Sequence, residues 1–107
     1  MYIKKVKFER TGGFAGIRLA AEIEMEDLPD DEKHEIINII DGSDFEDLPK
    51  KFAGKAPLPD GFVYDIKVYS REDEYHVLAD ESSLPDDLQP LIEILERTAK
   101  KQMRNKG

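Results

Sequence analysis

The side chains with which this 107-residue chain could do acid–base, nucleophilic or metal chemistry include two histidines, four serines and twenty-four carboxylates. His34 stands between Lys33 and Glu35 in an acidic segment and His76 between Tyr75 and Val77 in an alternating one, and neither sits in the spacing motif of a zinc site. None of Ser43, Ser70, Ser82 and Ser83 occupies a nucleophile elbow or has a histidine locally placed to activate it. The pairs Asp30-Asp31 and Asp86-Asp87 each follow a proline. They read as first-turn helix residues, favoured by the positive end of the helix dipole, rather than as an acid–base dyad. The absence of cysteine removes thiol nucleophiles, disulfides and Cys-based metal sites. These residues describe a protein that is not an enzyme and has no cofactor or metal of its own.

One stretch stands apart. Thr11-Gly12-Gly13-Phe14-Ala15-Gly16 breaks an alternating pattern with three closely spaced glycines. It fits neither the Walker spacing nor the dinucleotide fingerprint, and a setting between two strands is wrong for both. Glycine accepts positive φ, which suits a tight or bulged hairpin turn. Phe14 is then either folded back as a lid on the core or held out for a partner, and an aromatic anchor at a loop tip can carry much of an interface's energy. A protein without catalytic residues works by presenting a surface. The candidate partner-binding residues are therefore Thr11, Gly12, Gly13, Phe14, Ala15 and Gly16, followed by the strand-face aromatic Tyr69 and the connection from Lys50 to Gly61. A small-ligand site is disfavoured by the lack of convergent polar residues.

The elements that position this stretch are legible from periodicity. Tyr2, Val6 and Phe8 share one face of a first strand, Tyr2 to Arg10, against Lys5, Lys7 and Glu9, with Ile3 and Lys4 blurring the alternation. Ile17, Leu19, Ala21, Ile23 and Met25 form the apolar face of a second, against Arg18, Glu22, Glu24 and Glu26. Leu28-Pro29-Asp30-Asp31-Glu32 starts a helix whose stripe is Ile36, Ile37 and Ile40, with Ile39 at its margin, and Gly42 stops it. In the following turn a serine or aspartate is placed to cap a single turn that tucks in Phe45 and Leu48. Lys50 to Gly61 reads as an irregular connection. Phe62 to Val68 and Tyr75 to Ala79 alternate as a second hairpin around a short acidic turn. After Pro85, either a short turn to Gln89 or a long helix with Pro90 at its first position begins. Leu88, Leu91, Ile92, Leu95 and Ala99 form its buried face, with Glu93-Arg97 and Glu96-Lys100 at pairing distance on the other. The expected fold is α+β: a four-stranded antiparallel sheet of two hairpins packed on one face by two helices.

Length allows one domain, residues 1–107, with the chain from about residue 101 a frayed helical tail. The net charge of -8 repels phosphate backbones and counts against nucleic acid. No signal-like segment and no run near the roughly 20 apolar residues of a membrane span is present, so a cytoplasmic protein with no membrane partner is expected. Acidic repulsion favours a monomer. The basic end, Arg97 to Lys106, complements a helix dipole.

The glycine stretch, read through Ile17, resembles the Ser/Thr-Gly-Gly-Phe-Ala-Gly signature of the emfourin family. These are small bacterial and archaeal proteins whose namesake inhibits protealysin, a thermolysin-like zinc metallopeptidase. The likeness continues through Leu28-Pro29-Asp30-Asp31-Glu32, the isoleucine-rich helix and Asp44-Phe45-Glu46-Asp47-Leu48-Pro49. It resumes at Phe62-x-Tyr64, His76-Val77 and Pro85-x-x-Leu88-x-Pro90-Leu91-Ile92, spanning roughly residues 3 to 95. Phe45 stands alone where the family often has two aromatics, and the tail from Ala99 runs past the usual end. The resemblance implies a single emfourin-like domain that reversibly inhibits a thermolysin-like metallopeptidase by occluding its cleft, with Thr11 to Gly16 as the contact. The alternative is a protein-interaction or regulatory module with no peptidase target.

Overall fold

The computed structural model describes residues 2–13, 18–52 and 61–105. Strands β1 (Lys5–Gly12) and β2 (Leu19–Glu24) lead through a single 3-10 turn at Met25–Asp27 into helix α1 (Asp30–Gly42). A second such turn, Phe45–Asp47, precedes the two-residue strand β3 (Lys51–Phe52). Strands β4 (Phe62–Tyr69) and β5 (Glu74–Asp80) follow, then a 3-10 turn at Asp86–Leu88 and helix α2 (Gln89–Asn105). Among the described residues the strands form one sheet in the order β2-β1-β4-β5-β3. The four long strands are antiparallel and the two helices complete the expected α+β fold.

Register puts the apolar positions in rows across the sheet. Val6 faces Ile23 on one side and Val68 on the other, and Phe8 lies between Ala21 and Ile66. These side chains meet Ile36 and Ile40 of α1, and Leu88, Leu91, Ile92, Leu95 and Ala99 at and along α2, in one core. Each valine, leucine, isoleucine or phenylalanine among them, taken fully out of water, contributes about 1.5–3 kcal/mol relative to exposure. The opposite face of the sheet is wet. There Lys5 pairs with Glu22 at 2.9 Å, Arg18 with Glu9 at 2.8 Å, and His76 with Asp65 at 2.6 Å.

Four local expectations are corrected. Tyr2 is 57% exposed, with Arg71 over its ring, while Ile3 is buried. The alternation slips at Lys4-Lys5, because two adjacent lysines on strictly opposite faces would bury one ammonium group. Asp44 enters the Phe45–Asp47 turn with φ 51 and makes no side-chain cap. The helix does end at Gly42, as expected, and the left-handed residue follows two positions later at Asp44. The Lys50 to Gly61 stretch is not irregular throughout: Lys51–Phe52 pairs in parallel with Leu78 and Ala79, and the Leu78 amide donates to the Lys50 carbonyl at 2.8 Å. The outer edge of β5 otherwise carries unpaired backbone groups, and this passing segment satisfies some of them. Glu96 pairs with Arg10 of β1 rather than with Lys100.

After Pro85, both readings of the chain hold in succession. A 3-10 turn closes at Leu88, and α2 starts at Gln89 with Pro90 in its first turn, where no helical hydrogen bond is lost.

Candidate functional site

The end of strand β1 carries Thr11 and Gly12, the start of the glycine stretch, alongside the beginning of β4. Arg10 lies opposite Tyr64, Thr11 opposite Val63, and Gly12 opposite Phe62. Gly12 and Gly13 then adopt φ values of 88° and 81°, in the left-handed range that side chains other than glycine's rarely accept. Space demands glycine as well. A Cβ on Gly12 would lie 2.6 Å from the Gly61 carbonyl oxygen, and one on Gly13 would lie 2.4 Å from Cε1 of Phe62. The Gly13 amide donates to that same Gly61 carbonyl at 3.4 Å. The base of the hairpin is thus a close backbone-to-backbone and backbone-to-ring contact that a single methyl group would disrupt.

Of the six candidate residues, Thr11 and Gly13 are half-buried and Gly12 is exposed. Phe14, Ala15 and Gly16 lie outside the described residues, as do residues 53–60 of the second candidate loop. The described ends of the two loops do meet, since Gly61 sits against Gly12 and Gly13. Tyr69 does not join them. It occupies the far end of β4, paired with Lys5 and Glu74, and the ammonium groups of Lys5 and Lys7 lie 4.9 and 5.6 Å from its ring centre.

The side chain beneath this junction is Phe62. The Arg10 guanidinium lies over its ring at 4.3 Å, and the Tyr64 ring sits 6.2 Å away, tilted by 49°. Arg10 also pairs with Glu96 of α2, which ties the helix to the strand next to the hairpin. Burial pushes the Tyr64 phenol above its ordinary pKa. The carboxylates of Glu96 and Glu81 add to that effect, while Arg10 opposes it. Sequence reasoning gave Arg10, Phe62 and Glu96 places on a strand end, a strand face and a helix face, and no part in the site. The available signal was phase: Arg10 continues the series Val6, Phe8 and is therefore a charge at a core-facing position.

The groups considered for chemistry remain apart. His34 is exposed on α1, and His76 is occupied by Asp65 on the wet face of the sheet. Among the described residues, no three histidine, cysteine or carboxylate side chains converge as metal ligands. No described helix is long and apolar enough to cross a membrane.

A family model described as Emfourin matches residues 8–96. The chain belongs to the Emfourin family. The matched Emfourin segment begins inside β1 at Phe8 and ends in α2 at Glu96, so it contains both members of the Arg10–Glu96 pair, the glycine stretch and Phe62. Comparison with curated proteins and with solved structures returned no match.

Proposed function

We propose that this Emfourin-family chain is a reversible inhibitor of a thermolysin-like zinc metallopeptidase, acting in the cytoplasm as a monomer and occluding the active-site cleft with its glycine hairpin. Family membership supports the peptidase target in general terms. The observation that carries the choice of the hairpin is the pair of consecutive left-handed glycines packed on Gly61 and Phe62. Their narrow backbone, bare of side chains, suits entry into a cleft, and exposed Gly12 can offer main-chain groups to the enzyme. A base held this closely limits the conformational freedom lost on docking. Phe14, next in the chain, is the anchor the sequence supplies for an apolar specificity pocket.

The test is inhibition of a panel of thermolysin-like metallopeptidases, the host's own included, by the purified protein and by its folded Phe14→Ala variant. Saturable inhibition is expected, weakened about thirtyfold by the substitution, which corresponds to the loss of one interface hot spot. A folded protein that leaves the cognate peptidase active at micromolar concentration overturns the reading and favours an interaction module with another target.

A further inference from the structure

Alternation places Arg10 on the core face of β1, where Leu19 and Tyr64 are its cross-strand neighbours. Stability alone is a weak reason for an arginine there. Its side chain is 16% exposed and that of Glu96 22%, so both charges are largely out of water. Replacing such a pair with apolar side chains of similar volume is often neutral or stabilising. What the guanidinium touches is a better reason. A planar, delocalised cation can stack on an aromatic face and bond a carboxylate at the same time, which an ammonium group or a methionine does poorly. Here the ring is Phe62 and the carboxylate is Glu96. The Phe62 ring in turn meets Gly13 at its Cε1 edge, and the Phe62 backbone pairs with Gly12. Its carbonyl also accepts a hydrogen bond from the Glu81 amide at 2.8 Å. One side chain therefore receives α2 through Arg10 and supports the left-handed turn directly.

We propose that Arg10, held by Glu96, is a positioning residue for the glycine hairpin. It pins the Phe62 ring on which the hairpin base rests, and so presets the direction in which the hairpin leaves the sheet toward a peptidase. The use made of the hairpin rests on the inhibitor reading; the positioning does not. Loosening the base lets the hairpin sample more conformations before docking, so binding weakens although no contact residue has changed.

The experiment compares the wild-type protein with the double variant Arg10→Met/Glu96→Leu, with Arg10→Lys, and with Ile40→Val in the core of α1 as a control. Three readouts are taken: thermal melting, backbone relaxation and amide exchange at Gly12 and Gly13 in the free protein, and inhibition of whichever panel peptidase the wild type inhibits best. The double variant is expected to melt close to the wild type, to exchange the Gly13 amide about tenfold faster, and to inhibit about tenfold less well. Arg10→Lys, which keeps the charge and loses the planar stack, shows the same loosening. Ile40→Val lowers the melting temperature and leaves these amides alone. Unchanged relaxation and exchange at Gly12 and Gly13 in a folded Arg10 variant overturns the proposal. Loosened amides with undiminished inhibition leave the positioning in place and overturn its link to docking. If the double variant does not fold, Arg10→Lys supplies the same comparison. If the wild type inhibits no peptidase, the inhibitor reading falls and the amide measurements alone decide the role of Arg10.

Discussion

Three glycine-to-alanine substitutions make the same chemical change in three settings, and the structure assigns two of them a loss of stability and the third a gain. Gly13 is the most informative. Alanine there must hold φ near the observed 81°, at a cost of about 1–2 kcal/mol for the left-handed region. It must also fit a Cβ that would lie 2.4 Å from Phe62 Cε1, an overlap that costs about 1–3 kcal/mol to relieve in a packed site. The expected loss is about 2–5 kcal/mol, or roughly 10–25 °C in melting temperature for a domain of this size. Gly12→Ala loses at least as much, because its Cβ would meet the Gly61 carbonyl oxygen, which cannot swing away without releasing the Gly13 amide. Gly42→Ala does the opposite. Gly42 is helical, its φ is not positive and nothing lies within 4 Å of its Cβ position, so alanine stabilises by about 0.5–1 kcal/mol. Urea denaturation followed by circular dichroism measures all three. Repeating Gly13→Ala in a Phe62→Leu background separates the two terms: removing the ring relieves the overlap but not the dihedral cost, giving a coupling of about 1–3 kcal/mol. A Gly13→Ala variant within about 0.5 kcal/mol of the wild type would refute the packing of the hairpin base on Phe62.

Two further predictions concern the core beneath the site. Leu95 is fully buried on α2, so Leu95→Ala is expected to destabilise by about 2–5 kcal/mol in the same denaturation assay, whereas Met103→Ala, at a side chain 51% exposed, changes stability by less than about 0.5 kcal/mol. Burial holds the Tyr64 phenol neutral, so the folded protein keeps a proton that the unfolded chain releases near its ordinary pKa of about 10. The corresponding stability is intact below that pH and declines as pH rises above it. Tyr64→Phe is expected to flatten this alkaline decline, measured as melting temperature against pH between neutrality and pH values above 10.

Much of the fold is legible because both sides of the sheet leave a mark on the sequence. The two-residue period of Leu19, Ala21, Ile23 and of Phe62, Tyr64, Ile66, Val68 records one face against the helices and one against water. The three- and four-residue spacing of Leu88, Leu91, Ile92, Leu95 and Ala99 records α2 in the same way. What periodicity does not record is anything held by backbone alone. The pairing of Lys51–Phe52 with β5 needs no particular side chain, only an open edge within reach. The left-handed residue after α1 is Asp44 rather than Gly42, since aspartate tolerates that conformation and the turn is fixed by its neighbours. At the candidate site the glycines announce a turn, but not the surface that requires them to be glycine. That surface is Gly61 and Phe62, about fifty residues later in the chain and brought alongside by β1–β4 register.

This packing limits what a loop substitution can report about function. Because Gly12 and Gly13 are required by their own φ values and by their contact with Gly61 and Phe62, a bulky residue at either position strains the fold before it meets any partner. Gly13→Val joins a left-handed β-branched residue to an overlap with an aromatic ring, so its loss of inhibition would follow from either cause. Arg10 is the position where the two causes come apart. Its apolar replacement keeps volume in the core and removes only the stack and the ion pair, so stability and hairpin order are expected to move independently. If the Arg10→Met/Glu96→Leu variant instead behaves as Ile40→Val does, melting lower with the Gly12 and Gly13 amides unchanged, the pair is ordinary core structure and the hairpin owes its direction to the glycines alone.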